Sequence, residues 1–218
     1  VLTPLKVRTI RCLDGLHYSF ELLQFYYGSL HSMCCKIPVS SSNVVPAIAH
    51  CWGFVDTLHR IRSIARAVPS LNQKRPEMRA FLTATELAEP FRHYMQHLDR
   101  ELSKQPPLGF PVWGSLAWVD EVDDQQSHIV MFGAANGQTT FSGCIYDRFN
   151  SSWVSKVCLT VAERSFNFDP IFEATMRFRD FVLPFVIQEG GATITYPDKL
   201  PMFSMRIVVS EPTQEDLA

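Results

Sequence analysis

The chain has 218 residues, of which 46% are hydrophobic and 12% aromatic, and its formal net charge is −2. That content suffices for one sizeable core, or for two small ones sharing an interface, and excludes a disordered chain, which is poor in aromatic side chains. A net charge so close to zero gives no global field toward nucleic acid or an anionic membrane, so any such partner needs a local patch.

The first predicted helix has Asp14 as its N-cap and ends before Pro38. Leu16, Phe20, Leu23, Tyr27, Leu30 and Cys34 recur along it at steps of three and four residues. After a loop at 40–43, Pro46 suits the first turn of a second helix that ends at Ala67, ahead of Pro69. Ile48, Trp52, Val55, Leu58, Ile61 and Ala65 mark its apolar face. A third helix opens near Pro76 with Met78, Phe81, Leu82 and Leu87. Pro90 pushes its ring toward the carbonyl of Glu86, so the axis kinks or restarts there before continuing to Lys104. The segment QPPLGFP, 105–111, is a connector.

Beyond the connector the period becomes two. Segments 113–122, 127–134, 139–147 and 153–164 read as strands of an antiparallel meander, with Asn136, Gly137 and Gln138 forming a tight turn. A last long helix is predicted with Asp169 as cap and Pro170 in first position. Phe172, Met176, Arg179, Val182 and Val186 form its stripe, up to Gly190 and Gly191. A final strand spans 202–210, and 211–218 is an acidic tail. The expected fold class is α+β, with an N-terminal antiparallel helical bundle in 1–105. An antiparallel β-meander with one covering helix follows in 112–210.

The six cysteines show no CxxC spacing and read as buried thiols of a cytoplasmic protein. No cofactor or metal is expected. Walker A, GxGxxG and GxSxG sequences are absent, and the HxxxH pair His93/His97 lacks the glutamate of a zinc protease. No apolar run approaches the roughly 18 residues that cross a bilayer, so no membrane partner is expected.

The stretch most suggestive of chemistry is PFRHYMQHLDREL, 90–102. His93 and His97 share a helix face. Arg92 and His97 stand five residues apart, a rotation of about 140° on a regular helix, so they converge only if Pro90 distorts the backbone. Together they suit RNA cleavage without a metal. An imidazole takes the 2′-hydroxyl proton or returns one to the leaving oxygen, and a guanidinium stabilises the charged phosphorane. Asp56, three and four residues before His59 and Arg60, is placed to orient a histidine or to pair with Arg92. Between Arg60 and Arg79 there are six basic residues against one acid, Glu77. Arg60, Arg62, Arg66 and Arg75 are therefore the candidate RNA contacts. The competing reading is structural: Asp56, Arg92 and His97 tie helices together in a non-catalytic interaction protein.

The Arg92, His93, three residues, His97 spacing resembles the HEPN family (higher-eukaryote and prokaryote nucleotide-binding), whose signature is Arg, a polar residue, three residues and His. RHYMQHLDREL is also similar to a string in uncharacterised bacterial HEPN-like proteins. The resemblance covers at most residues 14–104. It implies a helical bundle that dimerises, sets two Arg/His pairs across a cleft, and cuts RNA without metal as a toxin or defence ribonuclease, with an antitoxin as a further partner. In that reading His97 is the acid/base, Arg92 contacts phosphate, and His93 or Asp56 assists. Family bundles have four helices or more, so a fourth must come from 169–188 or from a second copy.

Overall fold

The computed structural model describes residues 3–103, 111–133 and 142–191. Helix α1 spans Pro4–Lys36, so it begins well before Asp14. Thr3 is the N-cap, accepting the Lys6 N–H at 3.3 Å, and Pro4 occupies the first turn, where its missing N–H costs nothing. Asp14 is an exposed residue inside the helix. Helix α2, Val44–Ala67, follows a short 3₁₀ turn at Ser41–Asn43. A Cβ on Gly15 would meet Ile64, and one on Gly53 would meet the Tyr26 ring, so the start of α1 lies beside the end of α2 and the two run antiparallel.

The predicted third helix is three pieces: α3, Pro76–Ala84; α4, Ala88–Gln96; and α5, Leu98–Leu102. The first break falls at 85–87, just ahead of Pro90, which then sits in the first turn of α4. That is the one part of a helix where proline is tolerated without loss of a hydrogen bond. The carbonyl of Leu82 and the hydroxyl of Thr85, at this break, both accept hydrogen bonds from Arg62 Nη1 of α2.

Four strands form one antiparallel sheet in the order β2-β1-β5-β6: β1, Ser115–Val119; β2, Ser127–Met131; β5, Val157–Val161; and β6, Arg164–Asn167. Central β1 and β5 are buried along their whole length, while β2 at the edge is partly wet. Strands β3, Ile145–Asp147, and β4, Ser152–Ser155, make a separate hairpin. The segment 153–164, read from sequence as one strand, thus contributes to β4, β5 and β6. It is interrupted at Lys156 and turns back at Ala162 and Glu163. The predicted turn at 136–138, the strand at 202–210 and the tail at 211–218 lie outside the described residues.

Helix α6, Phe168–Gly190, covers the sheet and packs on α1 and α3. Phe172 stacks on Tyr27 with ring centroids 3.9 Å apart, and Phe178 stacks on Phe81 at 4.1 Å. The helix ends at Gly191, whose φ of 57° is the left-handed C-cap conformation glycine adopts without strain. Its N-cap position is Asn167, not Asp169, which lies within the first turn. The fold is therefore α+β. One core runs through both regions, from Leu16, Phe20, Phe54 and Leu58 to Leu116, Leu159 and Phe166.

All six cysteines are free. Cys12, Cys34, Cys51 and Cys158 are buried, but Cys35 is exposed and Cys144 half-buried, so the expectation of uniformly buried thiols is corrected. Burial, then a hydrogen bond with Glu121, pushes the Cys35 thiol up to about 11; burial first, with Cys158 next, pushes Cys144 up to about 12. Neither is a thiolate nucleophile at neutral pH. No described helix is long and apolar enough to cross a membrane.

Candidate functional site

Asp56 projects from α2 toward α4 and is held by two guanidiniums. Arg92 donates through Nε to Oδ1 at 3.1 Å, and Arg60, one turn further along α2, donates through Nη2 to Oδ2 at 2.6 Å. The interhelical pair is half-exposed, with side chains 31% (Arg92) and 38% (Asp56) accessible. Beside it Trp52, Val55, Met95 and Gln96 complete a cavity of about 190 Å³. His59, on the same helix, has its imidazole held below the ordinary value, first by burial and then by the nearby Arg92 guanidinium.

His97 sits elsewhere. It is the joint between α4 and α5: its N–H reaches the His93 carbonyl at 3.1 Å, and its own carbonyl accepts the Arg100 and Glu101 N–H groups at 3.0 Å each. With φ −121° and ψ 33° it leaves the helical conformation, which ends one helix and starts the next. Its ring packs on that of His93, with centroids 4.5 Å apart. Arg92 and His97 therefore engage different partners, and of the four residues singled out from sequence the fold pairs Arg92 with Asp56 and His93 with His97.

His93 also lines a cleft of about 570 Å³ between α4, α5 and the β5–β6 turn, together with Glu89, Glu101, Ala162 and Arg164. That turn has two residues, Ala162 at φ 47° and Glu163 at φ 66°. A hairpin with both central residues at positive φ normally uses Asn-Gly, so this one carries backbone strain. Glu163→Gly relieves about 1–2 kcal/mol of that strain and loses about 0.4–1 kcal/mol through the freer unfolded chain. The expected net is a gain of about 0.5–1 kcal/mol, read as a rise of about 2 °C in Tm.

Of the four arginines read as RNA contacts, Arg60 is tied to Asp56, and Arg75 lies 4.9 Å over the Phe185 ring in a cation–π contact. Arg66 is exposed. Arg62 is 4% exposed, and its nearest carboxylate oxygen, on Glu89, is 4.0 Å away. Its guanidinium is inside the protein and corrects the sequence assignment of Arg62 to a surface contact. Lys74 and Arg79 border an open depression of about 520 Å³ on α3.

Sequence reasoning did not find the network around Asp169. This carboxylate accepts from Tyr27 OH at 2.6 Å, the Lys156 N–H at 2.7 Å, the Val157 N–H at 3.0 Å and Ser155 Oγ at 3.3 Å, with His31 Nε2 at 3.5 Å. Burial raises its pKa, but the neighbouring His31 imidazole and hydrogen bonds from Tyr27 and the Val157 and Lys156 amides outweigh that and hold the carboxyl well below the usual carboxylate range. Burial, then the bond to Asp169, pushes the Tyr27 phenol well above its ordinary value, so it stays neutral and donates. The hint in the sequence was an acidic residue at a helix start, which has a local reading as a cap and conceals the distant one.

Compared with family models, curated proteins and solved structures, the chain matches none.

Proposed function

We propose that this chain is a non-catalytic interaction protein, acting in the cytoplasm, in which Asp56, Arg92 and His97 hold helices together. The observation that supports it is the Asp56 carboxylate shared by Arg60 and Arg92, which joins α2 to α4 and gives Arg92 a partner within the fold. His97 acts as the joint between two helices. A half-exposed ion pair contributes little, so Arg92→Ala is expected to lower stability by about 1 kcal/mol or less in thermal melts. Mixed RNA incubated in EDTA with the wild type, Arg92→Ala and His97→Ala should remain uncut in every case. Cutting by the wild type that both substitutions abolish sinks this reading.

A second reading is a HEPN-like, metal-independent endoribonuclease of toxin type, acting on RNA as a homodimer and restrained by an antitoxin. It is favoured by the adjacent imidazoles of His93 and His97, 4.5 Å apart, with His93 opening onto the cleft. Two neighbouring imidazoles serve as base and acid, one taking the 2′-hydroxyl proton and the other returning a proton to the leaving oxygen. Arg60, Arg66 and Arg75 then guide the RNA backbone.

A further inference from the structure

The helical and sheet regions meet at the cleft that holds His93, and each contributes a side chain capable of donating to an anion: His93 from α4 and Arg164 from β6. The charges around the cleft are not equivalent. The Glu89 carboxylate lies 4.0 Å from the Arg62 guanidinium, which offsets it. Arg164 has no ion-pair or side-chain hydrogen-bond partner among the described residues, and its side chain borders the cleft. Glu101 lines the same space; it has a contact of its own, and a carboxylate has lone pairs for more than one donor.

The backbone that brings Arg164 here is the Ala162–Glu163 turn, in which neither residue is the glycine that positive φ favours. Strained backbone of this kind persists where the surroundings impose it, and it concentrates at ligand sites. Ala162 is itself part of the cleft wall, so the turn sets both the shape of the cleft and the position of its cation.

We propose that this cleft binds a phosphate ester of a sugar, with the phosphate between His93 and Arg164 and the sugar hydroxyls donating to Glu101. The volume, about 570 Å³, lies in the roughly 300–1,000 Å³ range of small-ligand sites. A guanidinium fork beside an imidazole fits phosphate oxygens, and a carboxylate fits hydroxyl donors. This site is separate from the Asp56–Arg92 pair and shares His93 with the ribonuclease reading, but it goes beyond both readings of function, because binding here requires no cleavage. A free sugar phosphate, a mononucleotide and an RNA diester share the chemistry.

The test is calorimetric titration of the purified 218-residue chain with ribose 5-phosphate, uridine 3′-monophosphate, a short oligouridylate and, as controls, ribose and inorganic phosphate. The imidazole C–H proton resonances of His93 are followed in parallel. At least one phosphate ester is expected to bind and to shift His93, with ribose inert and inorganic phosphate weaker. Whichever ester binds best identifies the source. Arg164→Ala and His93→Gln are each expected to weaken that binding at least tenfold, and Arg92→Ala to leave it within twofold. If Arg164→Ala melts early, Arg164→Lys keeps the stem and charge and is expected to weaken binding by two- to tenfold. The proposal is overturned if no ester binds the wild type, or if the Arg164 variants bind as tightly as it does. Ester binding without RNA cutting in EDTA leaves the site standing and removes the ribonuclease reading; cutting without ester binding does the reverse.

Discussion

Asp169→Ala is expected to lower stability by about 3–5 kcal/mol, because it strips the shared partner from several donors at once, most of them partly buried. In a chain of this length that corresponds to a fall of roughly 6–20 °C in Tm. The carboxylate joins three elements: Tyr27 and His31 of α1, the chain between β4 and β5, and the first turn of α6 that carries it. The pH dependence has a definite sign. The unfolded carboxyl titrates near the ordinary value of about 4, and the folded one well below it. Between those values the unfolded chain binds more protons than the folded one, so stability rises with pH across that window. The contribution is fully present above about pH 5 and is lost as the pH falls toward the folded value. Melts of the wild type and Asp169→Asn from pH 7 to pH 3 should therefore converge as acid is added. A gap that stays constant would mean that the carboxylate charge is irrelevant.

Gly114→Ala is the other substitution expected to be severe, at about 3–5 kcal/mol, from an overpacked core and a backbone conformation L side chains rarely adopt. Gly114 has φ +95° just before β1. A Cβ there would stand 2.6 Å from Val161 Cγ2 and 2.8 Å from the Thr160 carbonyl oxygen. The second contact is with backbone of β5, which is locked in register to both β1 and β6, so the neighbour cannot rotate away. Urea unfolding should show a lower midpoint, and loss of β1 pairing should also release the Phe132 N–H, which donates to the Gly114 carbonyl at 2.9 Å. A midpoint within the error of the wild type would show that β5 yields more readily than its burial implies. By contrast Gly28, with no atom within 4 Å of its missing Cβ, should accept alanine without a clash.

The long helices were legible because their signal is local. Leu16, Phe20, Leu23 and Leu30 recur at helical spacing and are buried for that reason, and Pro46 and Gly191 mark helix ends through their own backbone limits. The start of α1 was missed because Asp14 is as good a cap as Thr3 in isolation, and the helix extends wherever its apolar stripe still finds a surface. The residues of the candidate site were also legible as types: Asp56, Arg92, His93 and His97 all lie at the surface of α2 and α4 or at the helix joint. Their pairing was not legible. Arg92 reaches back to α2, whereas His93 turns toward the sheet, a choice set by how α4 lies between the two.

Hydrophobic period, proline and glycine positions and charge content determined that this chain forms long amphipathic helices followed by short antiparallel strands. Pro90 marked one break in advance, near Glu86, but tertiary structure supplied the partners at the breaks and alone decided the interruption at Lys156. The helix ends at Ala84 where Arg62, from another helix, takes the Leu82 carbonyl, and the strand ends at Ser155 where Asp169, from α6, takes the Lys156 and Val157 amides. A break in regular structure leaves backbone donors and acceptors unpaired, and burying them requires a partner. Sequence periodicity reports which face of an element is apolar; it carries no information on which distant charged side chain will arrive to satisfy its ends.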